Sequence, residues 1–193
     1  MKQITLVLIA GLFTLNSYAQ EKKDLVVSMA AGWLTSPYYS NYKWGSFFAI
    51  DFDYHLAKRH ILSANYNDGE HRYFDNLTND PSYKRSDGTN AIGGYHTFSV
   101  LYKYMFLDKK TIAGSIGSGA GVMTHSRQYP YSTSSGTTDR EAVWTDLVFP
   151  VRLELDVKIA RSVKLGLIGG FYIAPDYPTL AYYVGPRLGY VLK

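Results

Sequence analysis

Apolar and polar side chains alternate along this chain with a period of two, a pattern typical of β-strands that have two different faces. The clearest stretch is 147–159, where every odd position is apolar. The even positions of that stretch include Arg152, Glu154 and Asp156. No sustained helical period follows Leu25, so the chain is predicted to be all-β.

Eight stretches show this alternation, and each is predicted to form one strand. In chain order they are 25–34, 47–56, 62–67, 97–106, 111–123, 147–159, 163–173 and 182–192. The fifth stretch is rich in glycine, and Gly117, Gly119 and Gly121 fall on one of its faces. Glycines in a strand mark a tight bend or a place where a neighbouring residue approaches closely, so we predict that they allow either strong curvature or close packing of an inward side chain from a neighbouring strand.

The connections between these strands alternate in length. Tight polar turns at 57–59, 108–110 and 160–162 follow the second, fourth and sixth strands. Longer loops at 35–44, 68–93, 125–142 and 175–179 follow the first, third, fifth and seventh. Short turns at one end and longer loops at the other favour an eight-stranded antiparallel up-and-down β-barrel of the kind that spans an outer membrane.

The direction of the apolar face separates a membrane barrel from a soluble one. In a soluble barrel the apolar face points inward and the charged face meets water. An eight-stranded barrel is only just wide enough inside for its own side chains, and the stretch 147–159 alone would bring seven large apolar residues there. Lipid accepts a continuous apolar surface, so we predict a transmembrane β-barrel with its small and polar residues inside.

The predicted interior carries charged side chains. Four are carboxylates and five are bases: Asp51, Asp53, Glu154, Asp156, Lys103, Arg152, Lys158, Lys164 and Arg187. Because an unpaired buried ion is costly, we predict salt bridges between strands inside the barrel. Aromatic rings are predicted to form girdles where lipid meets water, and the candidates are Trp33, Tyr54, Tyr66, Tyr102, Tyr104, Trp144, Tyr182 and Tyr190.

The first nineteen residues have the features of a secretory signal peptide. Lys2 precedes an apolar run at 4–13, and Ser17 and Ala19 occupy the −3 and −1 positions before Gln20. The run is too short to span a bilayer as a helix. The sequence therefore predicts a signal peptide at 1–19 and one outer-membrane β-barrel domain at 20–193.

Composition narrows the function classes further. The chain of 193 residues has no Cys, which excludes disulfides, thiolate metal sites and a Cys nucleophile. Its 20 Lys and Arg residues outnumber its 16 Asp and Glu residues, but this mild excess forms no basic run. Nucleic acid is therefore not an expected partner.

Several of these features together resemble the small outer-membrane β-barrel proteins of Gram-negative bacteria. They are the signal ending at Ala19-Gln20, the eight strands and the order of short turns and long loops. This group includes the OmpA/OmpX-like barrels and proteins with an outer membrane protein beta-barrel domain. Residues 45–60, GSFFAIDFDYHLAKRH, are similar to the strand, turn and next strand of that family. The resemblance implies an integral protein of the outer membrane in contact with lipid and lipopolysaccharide, with both chain ends in the periplasm. One departure is that family members often end on an aromatic residue, whereas this chain ends Tyr190-Val-Leu-Lys193.

Candidate catalytic groups are weighed against structural roles. The carboxylates Asp51, Asp53, Glu154 and Asp156 could serve as general acids and bases, but a filled barrel gives a substrate no route to them. The five histidines, at positions 55, 60, 71, 96 and 125, lack the close spacing of metal ligands. We predict no catalytic, cofactor-binding or metal-binding residue.

Some small outer-membrane barrels modify lipid A with a His/Ser/acid site near the membrane rim. His96 with Ser99, or His125 with Ser126, could supply part of such a site. Neither pair matches a nucleophile motif.

The expected function is non-enzymatic. The chain would be a structural or adhesive outer-membrane protein, or an accessory subunit bound to another envelope protein. Its long loops contain Tyr, Trp and Arg, which are favoured at binding sites, so extracellular loops are the expected contact surface. Two alternatives remain at this point: a lipid A-modifying outer-membrane enzyme, and a secreted soluble β-barrel that binds a small apolar ligand.

Overall fold

The computed structural model describes residues 24–36, 45–73, 91–133, 136–175 and 177–192 of the chain. Its strands are β1 (Leu25–Thr35), β2 (Gly45–Ala57), β3 (His60–Tyr73), β4 (Ala91–Asp108), β5 (Ile112–Thr133), β6 (Gly136–Lys158), β7 (Val163–Ala174) and β8 (Tyr177–Leu192). Each strand is antiparallel to the next, and β8 pairs with β1, so the sheet closes into a barrel. The predicted eight-stranded antiparallel up-and-down barrel is confirmed. In these ranges no helix is long and apolar enough to cross a membrane.

Alternation of side chains gives the barrel an apolar outer face and a polar inner face. On β6, Leu153 and Leu155 point outward and are 46% and 44% exposed. Arg152 and Glu154 point inward and are 1% and 3% exposed. The strands β2, β4 and β8 alternate in the same sense. This is the reverse of a soluble barrel and agrees with the prediction from side-chain volume.

Three short connections lie at one end of the barrel, which we call the turn end. They comprise residues 58–59, 109–111 and 159–162. The other connections lie at the opposite end, which we call the loop end. The three short turns predicted at 57–59, 108–110 and 160–162 are therefore confirmed to within one residue at each end.

At the loop end, two predicted loops are wrong. The stretch 125–142 is mostly strand, because β5 and β6 stay paired from His125↔Trp144 to Thr133↔Gly136. The predicted loop 175–179 is interrupted by β8, which begins at Tyr177. The ends of β3 and β4 likewise extend into the predicted loop 68–93. The backbone ladder continues past the point where apolar alternation stops, since strand pairing needs only backbone groups.

Outward apolar side chains from all eight strands form a belt around the barrel, which we call the apolar belt. On β3, β4, β5 and β6 the belt ends towards the loop end at Tyr66, Phe98, Val122 and Leu147, and Val143 is a separate exposed apolar residue farther along β6. The next outward residues on those four strands are Asp68, His96, Thr124 and Thr145. Strand segments beyond these positions lie outside the apolar belt.

The interior of the barrel has two layers. The half near the loop end holds an apolar cluster that includes Leu34, Phe47, Met123 and Tyr172. The half near the turn end holds buried charged and polar side chains from β1 to β6 and from β8. The packed interior is therefore mainly apolar towards the loop end and mainly ionic and polar towards the turn end.

Candidate functional site

Lys103 is the centre of an ionic network inside the barrel. Its side chain is 1% exposed, and its Nζ lies 2.8 Å from Asp53 Oδ1 and 2.6 Å from Glu154 Oε1. These contacts join β4 to β2 and to β6 across the interior. Charge-assisted hydrogen bonds of this length are among the strongest that side chains make.

Arg187 on β8 lies within 3.2 Å of three carboxylates of the same network. Its Nη2 lies 2.8 Å from Asp53 Oδ2, and its Nη1 lies 2.8 Å from Asp156 Oδ2 and 3.2 Å from Glu154 Oε2. Its Nε also donates to Ser28 Oγ on β1 at 3.1 Å. The planar guanidinium group can donate to several acceptors at once. Through these contacts Arg187 connects β8 to β1, β2 and β6.

Arg152 connects the ionic layer to the apolar layer above it. Its Nη1 lies 2.5 Å from Asp51 Oδ1, and its Nε donates to the hydroxyl of Tyr183 at 3.0 Å. Asn65 donates to the same Asp51 oxygen at 2.6 Å. Asn65 and Tyr183 were not predicted to join the network, although their inward positions on alternating strands could have indicated it.

Glycine on β5 makes room for the lysine. A Cβ at Gly117 would lie 2.6 Å from Lys103 Cγ, closer than real Cβ atoms come. The neighbouring Gly121 would meet Ser99 Cβ at 2.5 Å. The predicted close packing of an inward side chain against this glycine-rich face is confirmed, and Lys103 is the residue that uses it.

The predicted interior salt bridges between strands are confirmed for four carboxylates and three bases: Asp51, Asp53, Glu154, Asp156, Lys103, Arg152 and Arg187. The other two predicted bases lie at the turn end. Lys158 pairs with Asp108 at 2.9 Å, and Lys164 lines a cavity there. Each buried carboxylate thus has a cationic partner, and this arrangement suits a structural role.

At the loop end, β5 and β6 extend beyond the apolar belt as a long hairpin. The strand β4 pairs with β5 as far as Ile92↔Gln128, whereas β7 pairs with β6 only from Phe149 onward. Within the described residues, the edge of β6 over 136–148 therefore has no strand beside it on the side away from β5. Such an edge offers backbone groups for pairing with another chain.

A row of inward rings lies beneath this hairpin, outside the apolar belt. His71 stacks on Tyr95 with ring centroids 5.1 Å apart, Tyr95 meets His125 edge-on at 5.1 Å, and His125 stacks on Trp144 at 5.2 Å. Burial lowers the pKa of His71 to about 4. Burial also lowers the pKa of His125, although Asp146, with its Oδ2 3.3 Å from His125 Nε2, acts in the opposite direction.

This row corrects two expectations. Trp144 was predicted to belong to an interfacial girdle, but it stacks on the inward His125. His71 and Tyr73 were predicted to belong to an exposed binding loop, but both are 1% exposed and lie inside. The ladder explains both cases, because these residues occupy inward positions of strands that extend past the belt.

The structure separates the two His/Ser pairs that the sequence suggested. His96 points outward, with Nδ1 3.3 Å from Asp68 Oδ1, whereas Ser99 is buried inside the barrel. His125 is buried inside, and the adjacent Ser126 is on the opposite face of β5 because neighbouring strand residues alternate. Across the described ranges, no three potential metal ligands come together.

Other loop aromatics and cations lie outside the described residues. They are Tyr38, Tyr39, Tyr42, Trp44, Phe74, Tyr83, Lys84 and Arg85, and Pro37 of the first predicted loop also lies outside the described residues. Among described loop-end residues, Arg72 is exposed, and the guanidinium of Arg127 lies 4.9 Å from the ring centre of Tyr129. The predicted signal peptide also lies outside the described residues and stays a prediction.

Comparison with known protein families and with curated proteins finds no match for this chain. Solved structures do match in fold. The attachment invasion locus protein Ail of Yersinia pestis, in complex with the heparin analogue sucrose octasulfate, gives a TM-score of 0.58 at 10% identity, over 89% of this chain and 100% of Ail.

Two further outer-surface barrels give similar values. Neisserial surface protein A has a TM-score of 0.55 at 12% identity, over 88% of this chain and 99% of its own. The outer membrane protein OprG of Pseudomonas aeruginosa has a TM-score of 0.56 at 9% identity, over 90% and 98%. The fold is therefore that of small outer-membrane β-barrels, as the sequence resemblance implied.

Proposed function

We propose that this chain is an integral outer-membrane β-barrel protein without catalytic activity, acting as a structural or adhesive protein or as an accessory subunit of an envelope complex. The apolar belt around an ionic interior is the observation that carries this proposal. The belt includes Phe52, Phe98, Leu153 and Leu167, each at least 46% exposed. Soluble monomers rarely expose apolar patches beyond a few hundred Å², whereas lipid solvates such a surface well.

The same observation favours a membrane protein over a secreted barrel that binds a small apolar ligand. Such a carrier needs an apolar hollow inside and a polar exterior. Here one half of the inside contains Lys103, Arg152 and Arg187 with their carboxylates, packed side chains of the apolar cluster occupy the other half, and the apolar belt covers the exterior. In the membrane orientation that outer-membrane barrels adopt, the short turns face the periplasm and the loop end faces outward.

We further propose that the β5–β6 hairpin is the main contact surface. It extends beyond the apolar belt, and among the described strands β7 pairs with β6 only from Phe149 onward, so no described strand lies beside β6 over 136–148 on the side away from β5. The described residues of the loop end include five carboxylates and three arginines, a net charge of −2: Asp68, Glu70, Asp139, Glu141, Asp146, Arg72, Arg127 and Arg140. This charge supports a protein partner over a sulfated sugar such as the one bound to Ail.

The separation of His96 from Ser99, and of His125 from Ser126, supports a non-enzymatic role over lipid A modification. A nucleophile and its base must come within hydrogen-bond reach of each other. Neither pair meets this requirement, because each pair is divided between the two faces of its strand.

The test starts from native envelopes. Washing with alkaline carbonate should leave the protein in the membrane, and mild detergent should extract it. Recovery in the aqueous fraction would overturn the membrane assignment. Affinity purification of the extracted protein, followed by mass spectrometry, tests for the partner of an accessory subunit. Binding of intact cells to host or bacterial surfaces tests for an adhesive role.

A hairpin variant tests the contact surface. Residues 127–142 are replaced by Asn-Gly, which closes the ladder at the pair Ser126↔Val143 with a favoured two-residue turn. The variant should still migrate as a heat-modifiable folded barrel on gels but should lose the partner or the adhesion. Retention of both by the shortened barrel would contradict the hairpin as contact surface.

A further inference from the structure

The turn end of the barrel contains a cavity of about 410 Å³. It lies inside the ring of short turns, and inward residues such as His55 and Met105 are among those that line it. A pocket of this volume falls in the range that holds small ligands. The function proposed above, at the opposite end of the barrel, does not use it.

Cations predominate in the lining of this cavity. Lys58, Lys158, Arg161 and Lys164 line it, whereas its carboxylates are only Asp24 and Asp108 in the described part of the chain. With neutral His55, the net charge of the lining is +2.

These cations differ in whether they already have a partner. The ammonium of Lys158 is occupied, because it donates to Asp108 Oδ1 at 2.9 Å and to the carbonyl of Lys109 at 3.0 Å. Lys58, Arg161 and Lys164 have no carboxylate within 4 Å among the described residues. The cavity therefore presents three cationic groups whose charge is not paired at short range.

The net charge of the ionic network next to the cavity is enough to balance only one of these three cationic groups. The ionic network inside the barrel has four carboxylates and three bases, a net charge of −1. Lys164 lies closest to it, since Lys164 also lines the small space that Asp53, Asp156 and Arg187 share. The positive charges of Lys58 and Arg161 then have only the carboxylate of Asp24 to balance them among the described lining residues.

Charge along the whole barrel points the same way. The described residues of the turn end carry seven cations and two carboxylates, a net charge of +5: Lys58, Arg59, Lys109, Lys110, Lys158, Arg161, Lys164, Asp24 and Asp108. The described residues of the loop end carry a net charge of −2. A concave site with walls of one sign concentrates counter-ions.

We propose that this cavity binds a small multiply charged anion of the phosphate type, held by Lys58, Arg161 and Lys164. Ammonium and guanidinium groups form charge-assisted hydrogen bonds with phosphate oxygens. The cavity is lined by residues of the turn end, which faces the periplasm in the proposed orientation, so a soluble phosphate compound can reach it from that side. A phospholipid headgroup that reaches over the turns offers the same chemistry.

The test uses the full barrel in a neutral detergent and inorganic pyrophosphate as the probe, with binding measured by calorimetry. The double variant Lys58→Gln/Arg161→Gln removes two charges from residues that line the cavity. Lys109→Gln/Lys110→Gln is the matched control, because it removes two charges from the same end at positions that do not line the cavity. Heat-modifiable migration shows whether both variants are folded.

Saturable pyrophosphate binding should weaken about tenfold or more in the cavity variant, as expected for the loss of two charge-assisted hydrogen bonds. The control should keep most of the wild-type affinity. Equal losses in both variants would overturn the proposal, because general attraction to the basic end would then explain the binding. The proposal would also be overturned if the wild type showed no saturable binding of either probe. The two probes are pyrophosphate in detergent and phosphatidylglycerol in vesicles.

A second measurement distinguishes the two sources of phosphate. The barrel is placed in phosphatidylcholine vesicles with and without phosphatidylglycerol, and the pyrophosphate titration is repeated. A headgroup in the cavity competes and lowers the apparent affinity for pyrophosphate, whereas a site for soluble anions keeps its affinity. If phosphatidylglycerol lowers the affinity of the wild type and of the cavity variant by the same factor, the headgroup acts elsewhere and the lipid version is overturned.

Discussion

The ammonium of Lys103 lies 2.6 Å from the carboxylate of Glu154, and both side chains are almost completely buried inside the barrel. Asp53 binds the same ammonium at 2.8 Å. The lysine therefore compensates two acids that have no access to bulk water. Removing one member of such a group leaves uncompensated charge in a medium of low polarity.

Lys103→Met should therefore destabilise the barrel by about 3–5 kcal/mol. The methionine fills a similar volume, so the lost charge is the main change. The measurement is the free energy of unfolding by urea in lipid vesicles. Lys109→Met, at an exposed turn position, is the control. A Lys103→Met barrel as stable as the control would show that the network is dispensable.

The space for this lysine depends on Gly117, whose hydrogen would be replaced by a Cβ 2.6 Å from Lys103 Cγ. Gly117→Ala should cost about 1–3 kcal/mol by overpacking. Gly189→Ala is a matched control on the inner face, because its Cβ would meet Ser28 and Val26 only at 3.5 Å. The measurement is the urea unfolding midpoint of each variant. A larger loss of stability in Gly189→Ala than in Gly117→Ala would contradict the packing argument.

Both features were partly accessible from the sequence. Alternation placed Lys103 and Glu154 inside, and the cost of buried ions required partners for them. Which partners they have was not accessible, because the pairing depends on side chains that cross the barrel from non-adjacent strands. Asn65 and Tyr183 show this: each lies on a strand that the alternation predicts, but only the three-dimensional structure brings them to Asp51 and Arg152.

The strand ends at the loop end were predicted less well, for a different physical reason. The strands are predicted from the alternation of apolar and polar residues. This alternation occurs where outward side chains contact lipid, so it ends where the apolar belt ends. The ladder of β5 and β6 continues to Thr133↔Gly136, because hydrogen bonds between strands do not depend on outward side chains. Residues such as His71 and Trp144 were therefore assigned to loops or girdles when they belong to the inner face.

The apolar belt gives a prediction about depth. Leu153→Arg, at an outward position in the belt, should destabilise the barrel in vesicles by about 2–4 kcal/mol. Thr145→Arg lies on the same strand and the same face but beyond the belt, so it should have little effect. Urea unfolding in vesicles measures both. Equal effects would contradict the assignment of Leu153 to lipid.

Tryptophan fluorescence offers an independent test of the same surface. Trp33 is 59% exposed in the belt, whereas Trp144 stacks inside on His125. Two variants, each with one of these residues as its single Trp and Phe at the other positions, are reconstituted in vesicles with brominated acyl chains. Bromine should quench Trp33 strongly and Trp144 weakly. The reverse order would mean that the outward face of β1 does not meet lipid.

The buried ring of His71 predicts a dependence on pH. Burial lowers its pKa to about 4, below the value of about 6.5 expected in an unfolded chain. As pH falls below 6.5 the unfolded state takes up the proton first, so stability is complete above that value and is lost progressively towards pH 4. The difference between these two pKa values corresponds to about 3 kcal/mol of stability.

His71→Phe retains a ring that can stack on Tyr95 and Tyr73, but it cannot titrate. The variant should therefore lose less stability than the wild type between pH 7 and pH 4.5, measured by urea unfolding at both values. His96→Phe, at an exposed outward position, controls for the replacement of a histidine by phenylalanine. If His71→Phe shows the same acid-induced loss as the wild type, the buried histidine does not contribute, and the carboxylates of the barrel must account for the loss.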